Sequence, residues 1–158
     1  MAYDIETEIG IAAPPTAVWA ILADFPRYPE WNPFILEVEG DVRLGAAVHY
    51  RFEFPRGFRI WAVAHILAFE PGRELVWTSH AFSDTIFRGD HHFRLEPIKE
   101  GSVFHHGEHF TGVLVPLATP ILRLNGPKIY GSLNQALKRR VEAHADLVGA
   151  EQLAGSST

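Results

Sequence analysis

The order in which element types follow one another constrains this fold more than any single motif. Tyr3, Ile5, Thr7, Ile9 and Ile11 alternate with Asp4, Glu6, Glu8 and Gly10, the period-two pattern of a strand with one wet face. Pro14-Pro15 ends that strand and suits a helix start. Val18, Trp19, Ile21 and Leu22 then give a short helix one apolar face. Residues 24–31 hold Pro26 and Pro29, which leaves room only for a helical turn. Residues 34–112 read almost wholly as strand and turn. Ile129, Leu133, Ala136, Leu137, Val141 and Val148 then recur at helical spacing. A curved sheet closed by one long helix encloses a hollow more readily than a solid core.

Within the β region, Asn32-Pro33 forces an extended exit into a strand over 34–39. Asn32 either caps that turn through its side chain or orients the mouth of a cavity. Val48, Tyr50, Phe52 and Phe54 form one strand face and Pro55–Gly57 a hairpin. A long strand over 58–69 ends at Glu70-Pro71-Gly72-Arg73. Leu75, Trp77 and Ser79 share a face of the next strand. Strands over 85–96 and 102–112 flank a turn at 97–101. Short turns between successive strands predict an antiparallel meander. Thr119-Pro120 suits a helix cap, and Gly126-Pro127 predicts a kink or break. The segment 112–126 is either a lid hinged at Gly126-Pro127 or an ordered helix start. One domain is expected over 1–148, with a flexible C-terminal tail over 149–158.

Charge and composition remove several classes of function. The net charge is −5, and the longest basic run, Lys138-Arg139-Arg140, lies beside Glu142; no nucleic-acid partner is expected. The absence of cysteine rules out disulfides, thiol nucleophiles and iron–sulfur clusters. No apolar run reaches membrane-spanning length and the acidic N-terminus is no secretory signal. A cytoplasmic monomer or homodimer is therefore expected, with no membrane insertion. Neither a phosphate-cradling glycine loop nor a Gly-x-Ser-x-Gly elbow occurs, so no cofactor is expected.

Strand parity singles out the candidate site. If Phe104 and Phe110 point inward, His106 and Glu108 do too. On the preceding strand His91 shares a face with Phe93 and Leu95. The expected register sets His91 opposite Glu108 and Phe93 opposite His106, with opposed Cβ atoms about 5 Å apart. His91 and Glu108 then form either an acid/base pair in an apolar cavity or a purely structural polar pair. Burial moves the pKa values of such groups. His91, His106 and Glu108 would also suit zinc, but no compact ligand motif accompanies them and no metal is expected. The doublets His91-His92 and His105-His106 each place one ring on either face. Tyr50, Phe52, Trp77, Phe93 and Phe110 occupy faces that line one cavity, and Trp31 and Phe34 sit near the short helices. Asn134 faces either the cavity rim or a strand.

The ordered set of Trp31-Asn32-Pro33-Phe34, Glu70 to Trp77, Gly89 to Glu96, Glu108 to Gly112 and Asn134 to Glu142 resembles the SRPBCC superfamily. That superfamily includes START domains, Bet v 1-like proteins and polyketide cyclase/dehydrase-like proteins. The resemblance implies an α+β helix-grip fold: a seven-stranded antiparallel curved sheet around a long C-terminal helix, with two short helices after the first strand. It also implies an internal cavity for a small hydrophobic molecule, a lipid or an aromatic, polyketide-like compound. Two functions follow. One is ligand binding through Trp31, Phe34, Tyr50, Phe52, Trp77, Phe93, Phe110 and Asn134. The other is cyclase/dehydrase chemistry with His91, Glu108 and His106 as acid/base groups, and Tyr50 or Arg59 steadying an enolate.

Overall fold

The computed structural model describes residues 1–54 and 57–155, with side chains described through Asp146. The seven strands are β1 (Ala2–Ile11), β2 (Ile35–Glu39), β3 (Ala47–Glu53), β4 (Arg59–Glu70), β5 (Glu74–Ala81), β6 (Phe87–Ile98) and β7 (Gly101–Thr111). The helices are α1 (Pro15–Leu22), α2 (Tyr28–Trp31) and α3 (Val115–Gly155), and a single 3₁₀ turn, Phe25–Arg27, precedes α2. This is the expected architecture, with two short helices between the first two strands.

The sheet order is β1-β7-β6-β5-β4-β3-β2, and every neighbouring pair is antiparallel. Only β1 departs from a simple meander, because it returns to pair with the last strand. Gly101 permits this join. Its φ is 145°, and a Cβ there would lie 2.1 Å from the carbonyl oxygen of Ile11, so no other residue fits the β6–β7 turn against the end of β1. On the inner face Phe93, Leu95, Phe104 and Leu75 pack with Val18 and Leu22 of α1 and with Leu133, Leu137 and Val141 of α3. That core fills one end of the grip. A second, small cluster of Ile5, Phe110, Val115 and Tyr130 ties α3 to β1 and β7 at the other end.

The helix differs from expectation. α3 begins at Val115 and runs unbroken through Pro120 and Pro127, so residues 112–126 are an ordered helix start. A proline removes one backbone donor from a helix, but burial on both sides of these prolines holds the helix to the sheet. Val115 and Tyr130 pack in the small cluster and Leu133 in the main core. Gly126 sits where a Cβ would meet Ile5 Cδ1 at 2.4 Å, so the helix backbone approaches β1 closely there. The tail expected over 149–158 lies beyond the described side chains, and its last three residues lie outside the described residues. Among the described residues no helix is long and apolar enough to cross a membrane.

Candidate functional site

The core leaves a cavity of about 840 Å³ between the sheet and α3. Its walls are mostly apolar: Phe34, Phe52, Phe87, Phe93, Phe110 and Trp77, with Ile129 and Leu133 from the helix. Phe34 stacks on Phe52 at 5.7 Å, which extends an aromatic wall along β3. Phe58, Ile121 and Leu124 border the cavity and are themselves exposed. The mouth therefore lies between the β3–β4 hairpin and the first turns of α3.

The hairpin register is the expected one: His91 pairs with Glu108 and Phe93 with His106. Both histidine doublets split as predicted. His91 and His106 face inward, while His92 meets Glu6 at 3.1 Å and His105 meets Glu96 at 3.3 Å on the outer surface. Inside, one chain of polar contacts crosses the molecule. Thr7 Oγ1 donates to the His106 carbonyl (2.7 Å), and Asn134 Nδ2 donates to Thr7 Oγ1 (2.9 Å). This orients Asn134 Oδ1 to accept from His106 Nδ1–H at 2.6 Å. His106 Nε2 is then the acceptor in its 2.7 Å contact with His91 Nε2, so His91 donates there. His91 Nδ1 faces Glu108 Oε2 at 3.1 Å, and the Tyr130 hydroxyl donates to the same oxygen.

Ring stacking holds this chain in place. Trp77 stacks on His91 at 4.7 Å and 16° between planes, and Tyr130 stacks on both His91 (5.5 Å) and His106 (4.7 Å). Burial, and secondarily the charge at His91, holds the His106 imidazole well below its ordinary value, in the neutral form. Burial followed by the Glu108 charge pushes the Tyr130 phenol well above its ordinary value. Tyr50, bonded to Ser79 at 3.2 Å, is pushed up to about 12, chiefly by burial. Both tyrosines therefore remain hydroxyl donors at neutral pH. The Glu108 carboxylate has room because residue 89 is glycine: a Cβ there would fall 2.0 Å from Oε1. Among the described residues that oxygen makes no hydrogen bond and is not sealed from the cavity.

Of the residues singled out in the sequence, His91, His106, Glu108, Phe34, Tyr50, Phe52, Trp77, Phe93 and Phe110 border the cavity. Trp31 and Asn134 do not. Trp31 packs on Tyr28 at 4.8 Å and belongs to the surround of the core. Asn134 is buried behind His106 and bridges helix to strand. Arg59 is exposed and pairs with Glu53, away from the cavity. Asn32 takes its turn-capping role, its Oδ1 accepting from the backbone of Phe34 (2.9 Å) and Ile35 (3.1 Å). Tyr130, Thr7 and Gly89 were not singled out as site residues, and Ser79 was noted only on the strand face it shares with Leu75 and Trp77. Tyr130 lies one residue from Ile129 and three from Leu133 on the apolar stripe, the one signal that pointed inward.

A sheet gripping one helix around such a hollow defines a helix-grip protein of the SRPBCC superfamily, as the sequence pattern suggested. Residues 2–142 match the family described as polyketide cyclase / dehydrase and lipid transport, and the chain belongs to that family. The fold is similar to that of the ZhuI aromatase/cyclase from Streptomyces sp. R1128 (TM-score 0.76, 16% identity, 92% of this chain and 96% of that one). A START superfamily protein from Mycobacterium smegmatis is also similar (TM-score 0.74, 18% identity, 89% and 97%). So is the di-domain aromatase/cyclase StfQ of the steffimycin biosynthetic pathway (TM-score 0.76, 16% identity, 92% of this chain). This chain spans about half of StfQ, 52%. No curated protein sequence matches significantly.

Proposed function

We propose that this protein binds a small, mostly apolar, ring-bearing molecule in the cavity, oriented by Glu108, His91 and Tyr130 on one side and by Tyr50 with Ser79 on the other. The observation that carries this reading is the shape and lining of the hollow: about 840 Å³ walled by aromatic rings, with Glu108, Tyr130, His91 and His106 in one hydrogen-bonded chain. Apolar cavities with a few convergent polar groups are the usual sites for small molecules. Burying roughly 200 Å² of apolar ligand surface contributes about 5 kcal/mol before association costs.

A second reading is cyclase/dehydrase-type acid/base catalysis, and the convergence of His91 and Tyr130 on one oxygen of Glu108 favours it. In this reading Glu108 takes a proton from a C–H beside a substrate carbonyl, forming an enolate whose oxygen the Tyr50 hydroxyl steadies. The same carboxyl group returns the proton to a departing hydroxyl, which leaves as water. The His106–Asn134–Thr7 chain keeps His91 facing Glu108.

Native mass spectrometry of the purified protein, followed by titration with 1-naphthol, tests the binding reading. A retained small molecule, or quenching of tryptophan fluorescence by the probe, is expected; neither would appear if the hollow took no ligand. Glu108→Gln separates the two readings once a substrate is known. Catalysis predicts a rate loss of about a hundredfold or more with the fold intact. Binding alone predicts a changed affinity and no turnover in either protein.

A further inference from the structure

The rim of the cavity carries several large apolar side chains that are exposed to solvent, the kind of clustering that marks an interaction surface. Three chain segments contribute to it. At the start of α3, Val113, Leu117 and Leu124 are 73%, 78% and 69% exposed, and Ile121 is exposed between the last two. Leu117, Ile121 and Leu124 follow helical spacing, so they form one outward stripe. On the β5–β6 hairpin Phe82 is 86% exposed, and its φ of 70° is unfavourable for a bulky side chain. On the β3–β4 hairpin Phe58 is exposed as well.

These segments form one continuous surface. The backbone amides of Val113 and Leu114 donate to the carbonyls of Thr85 and Ile86, at 3.1 Å each, which fastens the helix start to the hairpin that carries Phe82. Phe58, Ile121 and Leu124 border the cavity, so this apolar surface lies beside its mouth. Charge is distributed unevenly around it. In a chain of net charge −5, no aspartate or glutamate occurs from Gly112 to Val141. Arg123 and Lys128 are exposed on the same part of α3. The acidic side chain on the hairpin, Asp84, faces His80 at 3.1 Å.

We propose that this rim docks the mouth of the cavity onto the interface of an anionic phospholipid bilayer. Leu117, Ile121, Leu124, Phe82 and Phe58 enter the headgroup region, and Arg123 and Lys128 meet lipid phosphates. No span is involved. An apolar helical stripe beside cations, without acidic residues, is the arrangement of interfacial helices. Juxtamembrane cations are attracted by anionic lipid and lose that attraction in salt. A strained aromatic side chain held out in water fits a surface that is buried only on docking. The inference does not depend on which molecule the cavity holds.

Co-sedimentation of the full chain with vesicles tests it. Binding is expected to vesicles of phosphatidylglycerol and phosphatidylcholine in equal parts, to be weak on pure phosphatidylcholine, and to fall as salt rises. Leu117→Glu with Ile121→Glu is expected to weaken binding by at least about tenfold. Arg123→Ser with Lys128→Ser is expected to weaken it roughly thirtyfold on the anionic vesicles. Phe82→Gly relieves the backbone conformation while removing an anchor, so it keeps its melting temperature and loses binding. No binding to either vesicle at low salt would overturn the proposal. So would an L117E/I121E protein that is folded and binds like the parent. Self-association abolished by the same substitutions, without vesicle binding, would assign the rim to a second copy and overturn it too.

Discussion

Tyr130 donates its hydroxyl hydrogen to Glu108 Oε2, the same oxygen that His91 Nδ1 faces at 3.1 Å. The contact joins α3 to β7 across the hollow and makes the carboxylate the meeting point of helix and sheet. Three stacked pairs hold the rings in place: Trp77 on His91, His91 on Tyr130 and His106 on Tyr130. The arrangement holds a half-buried carboxylate beside an apolar space with its second oxygen turned to that space.

Tyr130→Phe isolates this contact, because the ring and its stacking remain. A hydrogen bond to a charged acceptor is worth about 1.5–3 kcal/mol, and partial exposure of Glu108 places the expected loss near the lower end. Urea denaturation measures it. A variant as stable as the parent would mean that the phenol does not hold the carboxylate.

Gly89→Ala disturbs the site from beneath. The new methyl group would lie 2.0 Å from Glu108 Oε1, and the movable carboxylate gives way more easily than the strand. We expect a stability loss under about 2 kcal/mol together with a ligand-binding defect like that of Glu108→Gln. Parent-like binding would show that the position of the carboxylate is unimportant.

Asn134→Leu removes the acceptor of His106 Nδ1–H and the donor to Thr7 in one step. It leaves a buried imidazole N–H without a partner, at a cost of about 1–3 kcal/mol. It also frees the His106 tautomer. Nitrogen chemical shifts of the His106 ring report this directly: one Nδ1–H form in the parent, a mixture in the variant. A single unchanged tautomer would show that Asn134 does not choose it.

His106 sets a pH dependence with a definite sign. Its folded-state value lies well below the ordinary 6.5, through burial first and His91 second, whereas the unfolded chain regains the ordinary value. Above about pH 6.5 neither state holds the extra proton and the full stability is present. Below it the unfolded chain binds a proton that the folded protein refuses. Stability therefore falls with pH, by up to about 1.4 kcal/mol per unit, until the folded value is reached. Urea midpoints of the parent and His106→Gln, compared from about pH 8 to pH 5, should diverge below about 6.5. Parallel curves would contradict the assignment.

Much of this was legible in the residues. Alternation reports strand faces because successive side chains point to opposite sides of any pleated strand. The pairing of His91 with Glu108, expected from the strand faces, is the register that the two-residue turn at Lys99-Glu100 produces between β6 and β7. Trp31 failed because its neighbours Pro29 and Pro33 specify a turn without specifying which way the indole points. At the helix start the ordered alternative holds and the break expected at Gly126-Pro127 does not occur, because proline and glycine signal only local weakness, whereas burial of Val115 and Tyr130 against β1 and β7 decides that the helix continues.

Taken alone, the sequence determined the element order, the faces of the strands and the one hairpin register that a short turn dictates, since each of these depends on backbone geometry over a few residues. The tertiary structure alone decided that Tyr130 reaches Glu108, that Asn134 and Thr7 orient His106, and where the hollow opens. Those relations depend on the rotation and height of α3 over the sheet, which are set by packing between residues as far apart as Thr7 and Asn134, 127 positions in the chain. No local periodicity carries that information.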